Sequence, residues 1–190
     1  MQRKVDIKMI DEYIKNFDNN EKLKEKTLND LFREKYTNKK LQDVLIKVCT
    51  LDALYATRIR KADLTKIAEH IIDLENIDGL LDDGNIEAIN QIGTTPKEVN
   101  NAYSFASKYC SFHNPDKFII IDQWSWKALV KIANEYHLNT KLAKEWNSKY
   151  DSYLKYCDCL NEFLSKLSKK YTYKDIDKFL WLYGKNDNRI

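Results

Sequence analysis

The stretch NNAYSFASKYCSFHNPDKFIIID at residues 100–122 decides the fold. It contains two side chains that the rest of the chain, as a scaffold, would bring together. Its pattern predicts a helix, then a turn at His113-Asn114-Pro115-Asp116, then a short apolar run. Asp122 comes directly after three isoleucines and before the next predicted helix, which is a position for a helix N-cap. We therefore single out Lys108, inside the helical part, and Asp122 as candidate functional groups.

The composition predicts an all-α protein. Of 190 residues, 43% are hydrophobic and 32% charged, which is typical of a globular domain rather than a disordered chain. Only 4 glycines and 2 prolines are present, too few for the many turns of an all-β fold. We expect a single helical domain over residues 1–190, which could divide into two subdomains around a cleft.

Charge and cysteine content narrow the functional classes only slightly. No apolar run approaches the roughly 20 residues of a membrane span, and the N-terminus lacks an apolar signal region, so we expect a cytoplasmic protein with no membrane partner. The net charge of +3 neither requires nor excludes nucleic acid. The 4 cysteines show no paired framework, so we expect reduced thiols, no metal and no cofactor.

Apolar residues at helical spacing predict helices along the whole chain. In the segment after Pro96, Lys108 lies nearly opposite the apolar stripe and is therefore predicted to face away from the buried side. Gly93 is predicted to end a helix in the left-handed conformation. The predicted helices cover residues 5–17, 27–36, 38–55, 63–72, 85–92, 96–112, 123–136, 141–168 (one helix or a pair) and 173–183, and the one candidate strand is residues 117–121.

The order of these parts resembles the helix-hairpin-helix DNA glycosylases, and most closely the bacterial proteins with the 8-oxoguanine glycosylase fold. The resemblance covers roughly residues 40–135 and implies a helical bundle with a central cleft. Family hairpins usually contain two glycines, and this chain has none at the corresponding site. The separation of 14 positions between Lys108 and Asp122 is also shorter than is usual. The matching segments are Leu54–Ile59, Ser104–Cys110, His113–Pro115 and Ile121-Asp122.

The resemblance implies excision of a damaged or modified base from double-stranded DNA, with that base flipped out of the duplex, and cleavage of the strand at the abasic site. Lys108 would be the amine nucleophile, and Asp122 would stabilise the positive charge that develops on the sugar. The family default substrate is 8-oxoguanine; a modified base of phage DNA would use the same chemistry. No iron–sulfur cluster is expected. The alternative is a non-catalytic helical module that binds DNA or protein.

Further residues are assigned by their positions in the resemblance. A basic bend would enter the minor groove, although it could equally be a solvated turn, and two polar side chains near the hairpin would bind phosphate. Three aromatic side chains are candidates for stacking on a flipped base, although each could simply be core. The bend residues are Thr57, Arg58, Arg60 and Lys61, the phosphate candidates are Lys97 and Ser104, and the pocket candidates are Phe105, Trp124 and Trp126.

Overall fold

A computed structural model describes residues 4–57, 59–94 and 102–186 of the chain. Within these ranges all regular structure is helical, with no strand, so the all-α prediction is confirmed. A π-helical turn at Leu31–Lys35 follows the second helix directly, and a 3₁₀ turn at Lys61–Asp63 precedes the fourth. The α-helices are α1 Ile7–Lys15, α2 Asn19–Asp30, α3 Leu41–Tyr55, α4 Leu64–Ile72, α5 Ile77–Asp83, α6 Glu87–Gly93, α7 Ala102–His113, α8 Gln123–Glu135, α9 Tyr150–Ser165 and α10 Tyr173–Asn186.

The helix predicted over residues 27–36 begins earlier, at Asn19, and two other predicted segments differ more from the structure. The helix or pair of helices expected over residues 141–168 is present only as α9, because side chains bond the backbone of the segment that precedes it. Trp126 Nε1 donates to the Ala143 carbonyl at 3.0 Å, and the Glu162 carboxylate accepts from the Asn139 and Thr140 amides at 2.7 and 3.0 Å. Residues 117–121 are buried from Phe118 onward but form no strand.

The chain forms two compact units, and the first combines residues 4–18 with residues 121–186. In this unit α10 packs on α8 and α1. The Tyr13 ring on α1 meets the Phe179 and Tyr183 rings of α10 edge-on, with centroids 5.7 and 6.0 Å apart. At Gly184 an added Cβ would lie 2.1 Å from the Trp124 carbonyl oxygen. Only glycine therefore allows α10 to approach the first turn of α8 this closely.

The second unit is formed by residues 19–120 and contains α2 to α7. In this unit α7 packs against α6, α3 and the π-helical turn. The predicted left-handed stop at Gly93 is wrong, because Gly93 is the last residue of α6 and Thr94 follows it with φ −82°. A Cβ at Gly93 would lie 2.5 Å from the Tyr103 ring, so this glycine permits close contact between α6 and α7. The left-handed glycine is Gly84, which ends α5 with φ +68°.

Candidate functional site

Lys108 lies on α7 and is buried, with only 3% of its surface exposed. Its Nζ donates a hydrogen bond to Ser104 Oγ, one turn earlier, at 2.8 Å. The prediction that Lys108 faces away from the buried side is wrong, because α7 is buried on nearly every face from Ala102 to Phe112. Serines on this helix are small enough to pack inward, and Ser107 Oγ bonds the Ser104 carbonyl at 2.9 Å. The amine and the Ser104 hydroxyl therefore form a buried polar pair.

Asp122 is the N-cap of α8, as predicted. Its Oδ1 accepts hydrogen bonds from the backbone amides of Trp124 and Ser125 at 2.8 and 2.9 Å. Ser125 Oγ in turn accepts from the Asp122 amide at 2.9 Å, which completes a capping box. Both side-chain cap bonds use Oδ1, so Oδ2 lies outside the cap. The positive end of the α8 dipole stabilises a negative charge at this position.

The two candidate catalytic groups belong to different units. Lys108 is part of the second unit, and Asp122 is the second residue of the segment that returns the chain to the first. The structure therefore defines the surroundings of each group separately. Their joint position in one site stays a prediction.

Two residues of the predicted DNA-contacting bend donate hydrogen bonds to one aspartate at the end of α3. Thr57 is buried, and its hydroxyl donates to Asp52 Oδ1, which also accepts from the Ile59 amide at 3.2 Å. The Thr57 hydroxyl thus holds the end of α3 to the bend, rather than facing solvent. Arg58, the first choice for a minor-groove contact, lies outside the described residues, as does Lys97.

The other two cations of the bend, Arg60 and Lys61, are both exposed. The Arg60 side chain is 66% exposed, and its Nε donates to Asp63 Oδ2 at 2.6 Å. Arg60 also lowers the pKa of the Asp63 carboxyl through this hydrogen bond. Ser104, predicted to contact phosphate, is instead buried as the acceptor of the Lys108 amine.

The three aromatic candidates for the base pocket have different surroundings. Phe105 is fully buried, with its ring centroid 5.8 Å from that of Tyr109. Trp126 is also buried and stacks on Tyr156 at 6.1 Å. Trp124 is half-buried, and the Lys127 ammonium lies 5.1 Å from its ring centroid. Of these three rings, Trp124 is the one with substantial exposed surface.

A buried polar cluster in the second unit was missed by sequence reasoning. Lys47 on α3 is fully buried, and its Nζ donates to Asn38 Oδ1 at 2.9 Å. The Tyr109 hydroxyl donates to the same oxygen at 2.7 Å, and Asn38 Nδ2 donates to Asp78 Oδ1 at 2.7 Å. His113 Nε2 lies 3.4 Å from the Lys47 amine. We call these five residues the Lys47 cluster.

Burial changes the ionisation of the Lys47 cluster. It lowers the pKa of Lys47 to about 8, against the opposing attraction of the Asp78 and Asp43 carboxylates. Burial, with the Lys47 charge adding to it, holds the pKa of His113 well below its ordinary value. The sequence did contain one signal for this site. Lys47 stands three residues after Val44 and one before Val48, on the apolar stripe of its helix, where a solvated lysine is not expected.

Comparison with known proteins shows which family the chain belongs to. Residues 9–117 match the family model HI_0787_N, described as an N-terminal domain, and this match spans more than half of the chain. The chain belongs to the HI_0787_N family. An uncharacterized protein of Haemophilus influenzae is 29% identical over 147 residues, which are 76% of this chain and 68% of the relative. No solved structure is significantly similar to the chain.

The region that matches the HI_0787_N family includes Lys108 and every member of the Lys47 cluster, whereas Asp122 lies beyond its end. Across residues 4–57, 59–94 and 102–186, no group of three or more His, Cys, Asp or Glu side chains could hold a metal ion. In the same part of the chain, every helix is too short or too polar to cross a membrane.

Proposed function

We propose that this protein is a DNA glycosylase with an abasic-site lyase activity, and that Lys108 is its nucleophile. The observation that carries the proposal is the burial of Lys108, a residue that is 3% exposed and whose amine donates to the Ser104 hydroxyl at 2.8 Å. Removing an amine from water disfavours its charged form, and the neutral form is the nucleophile. This environment suits the role that the resemblance to helix-hairpin-helix glycosylases implies.

The proposed reaction begins with attack of the neutral Lys108 amine on C1′ of the damaged nucleotide. The new nitrogen–carbon bond forms as the bond from C1′ to the base breaks, and the base leaves with that electron pair and is protonated. A proton then passes from the amine to the ring oxygen as the bond between C1′ and that oxygen breaks, and the nitrogen lone pair forms a carbon–nitrogen double bond between enzyme and DNA. Loss of a 2′ proton from this Schiff base expels the 3′ phosphate and cuts the strand.

Asp122 is proposed to stabilise the positive charge on the sugar. Its cap bonds use Oδ1, so Oδ2 is the oxygen proposed to face this charge. Preorganised charge near a developing cation is among the largest contributions to catalysis, because it needs no reorganisation during the reaction. The proposal includes the family fold, a helical bundle with a cleft that receives a flipped base. The first substrate to test is 8-oxoguanine in double-stranded DNA, followed by other modified bases.

The test is covalent trapping with borohydride, which reduces the Schiff base to a stable amine. The protein is incubated with duplexes that contain 8-oxoguanine, other modified bases or an abasic site, and the crosslinked lysine is located by mass spectrometry. We expect an adduct at Lys108 and its loss in Lys108→Gln. Lys117→Gln is the matched control, because Lys117 is an exposed lysine of the same unit.

Two results would overturn the proposal. An adduct that maps to Lys47, which is also buried and belongs to the same unit, would assign the nucleophile to another residue. The absence of an adduct with every duplex, the abasic site included, would leave a non-catalytic helical module. Binding of the same duplexes without trapping would then identify a DNA-binding module.

A further inference from the structure

The Lys47 cluster connects α7 to three other parts of the second unit. Tyr109 and His113 lie one turn apart on α7, so the helix is contacted at two successive turns. Their partners are Lys47 from α3 and Asn38 from the segment before it. Asn38 also bonds Asp78 on α5 at 2.7 Å. The cluster therefore fixes both the rotation of α7 about its axis and its position along that axis.

The Asn38 side chain is the centre of this arrangement. Its Oδ1 accepts two hydrogen bonds, from Lys47 Nζ at 2.9 Å and from the Tyr109 hydroxyl at 2.7 Å. Its Nδ2 donates to Asp78, and the Asn38 residue is only 5% exposed. Beside the cluster, the Phe32 ring packs edge-on against the Tyr109 and His113 rings, with centroids 5.0 and 5.2 Å apart. The polar cluster thus lies against an apolar wall on the same side of α7.

Stability alone is a weak reason for such a cluster. Apolar side chains of similar volume can replace a buried charged network without loss of stability, and sometimes with a gain. What apolar contacts lack is direction, since they tolerate small rotations and shifts of a helix. Hydrogen bonds at 2.7 and 2.9 Å to a single oxygen do not tolerate them.

Lys108 immediately precedes Tyr109, so any rotation of α7 moves its amine as well. The Lys108 amine donates a hydrogen bond to Ser104 Oγ at 2.8 Å, and both residues lie on α7. This bond therefore fixes the lysine side chain relative to its own helix. That bond does not fix the helix relative to the rest of the unit. The Lys47 cluster does, through the neighbouring residue.

We propose that Asn38, Lys47 and Tyr109 are positioning residues, which hold α7 in the one orientation that presents the Lys108 amine to the sugar. This inference rests on the proposed function for its consequence in catalysis. A displacement of about 1 Å in a reacting group can cost on the order of 100-fold in rate. A small rotation of α7 would therefore reduce the reaction without unfolding the protein.

The test replaces three of the five side chains of the Lys47 cluster by apolar groups of similar size, in a variant that combines Asn38→Leu, Lys47→Met and Tyr109→Phe. We expect the melting temperature to be at or above that of the wild type. At saturating abasic-site DNA we expect borohydride trapping to slow by about ten-fold or more, with an unchanged DNA concentration for half-maximal rate. A trapping rate within about two-fold of the wild type would overturn the inference.

A second measurement separates this inference from the proposed function. Amide NMR spectra of α7 in the protein without DNA should show one resonance set in the wild type and doubled or broadened resonances in the triple variant. If the wild type traps no DNA, the proposed function fails, and the spectra alone decide whether the cluster orients α7. One sharp set in the triple variant would overturn the inference. If the triple variant does not fold, Tyr109→Phe alone is used, with the same two readouts and the same criteria.

Discussion

Raising the pH should stabilise this protein through one side chain, Lys47. Its pKa is about 8 in the folded protein, against an ordinary value of 10.5. Between these values the unfolded chain binds the proton that the folded protein has released, so the free energy of unfolding rises with pH. Each pKa unit corresponds to about 1.4 kcal/mol, so the full difference is about 3 kcal/mol. About 2 kcal/mol of it should develop between about pH 7 and pH 9.5.

The assay compares the wild type with Lys47→Met by urea unfolding at several pH values. Burial raises the pKa of the Cys110 thiol and of the Tyr109 hydroxyl, and both groups lower stability as the unfolded chain begins to ionise. The variant retains both groups, so the difference between the two proteins isolates Lys47. Circular dichroism is the appropriate signal, because all four tryptophans belong to the first unit and Lys47 to the second.

The result that refutes this reasoning is a difference that stays flat, within about 0.5 kcal/mol, from about pH 7 to pH 9.5. Lys47 would then keep its proton throughout this range, and the Asp78 and Asp43 carboxylates would outweigh the effect of burial. Lys39→Met is the control, because Lys39 is an exposed lysine just before the same helix. Its profile should follow that of the wild type.

Three further perturbations have expected outcomes. Asp122→Asn should keep the α8 cap within a few tenths of a kcal/mol, since asparagine caps as well as aspartate, but reduce base excision by about 100-fold or more. Gly184→Ala should destabilise the first unit by about 1–3 kcal/mol in thermal unfolding followed by tryptophan fluorescence, because its Cβ would lie 2.1 Å from the Trp124 carbonyl oxygen. Lys47→Met should raise the pKa of His113 in an NMR titration, because one cause of its depression is removed.

Each of these has its own control. Asp122→Ala should lose the cap and about 1 kcal/mol, and equal stability for the alanine and asparagine variants would contradict the capping argument. For Gly184, the control is Gly79→Ala, where the new Cβ would meet the Asn76 side chain rather than backbone. Because Gly79 belongs to the second unit, which has no tryptophan, both variants are compared by thermal unfolding followed by circular dichroism. A side chain can move aside, so Gly79→Ala should be the milder change. An unchanged His113 titration would mean that burial alone sets its pKa.

Predictions from the sequence were correct where the structure depends on composition or on a few neighbouring residues. The scarcity of glycine and proline indicated an all-α fold, and the place of Asp122 after three isoleucines indicated a cap, and both are confirmed. The burial of Lys108 was not predictable from one apolar stripe, because α7 is enclosed on nearly all sides and its serines pack inward. Such enclosure depends on the neighbouring helices, and the spacing of apolar residues within one helix does not show which helices surround it.

The Lys47 cluster shows a second limit of sequence reasoning. A lysine on an apolar stripe can be noticed, but its partners cannot, since Asn38 is bonded to Tyr109, 71 positions away. The irregular segment before α9 is another case, because the Glu162 carboxylate accepts its backbone amides from 22 and 23 residues further along the chain. The spacing of apolar residues does not show which backbone amides will donate to a distant carboxylate.

The two units also differ in the stage of synthesis at which all of their segments are present. The second unit is one continuous segment, whereas the first needs residues 4–18 and residues 121–186 together. Domains tend to fold as units while the chain emerges. The apolar side of α1, with Tyr13, has its aromatic partners Phe179 and Tyr183 only once α10 has been made. Until then the α1 segment has an apolar side without its partner and is accessible to chaperones and proteases.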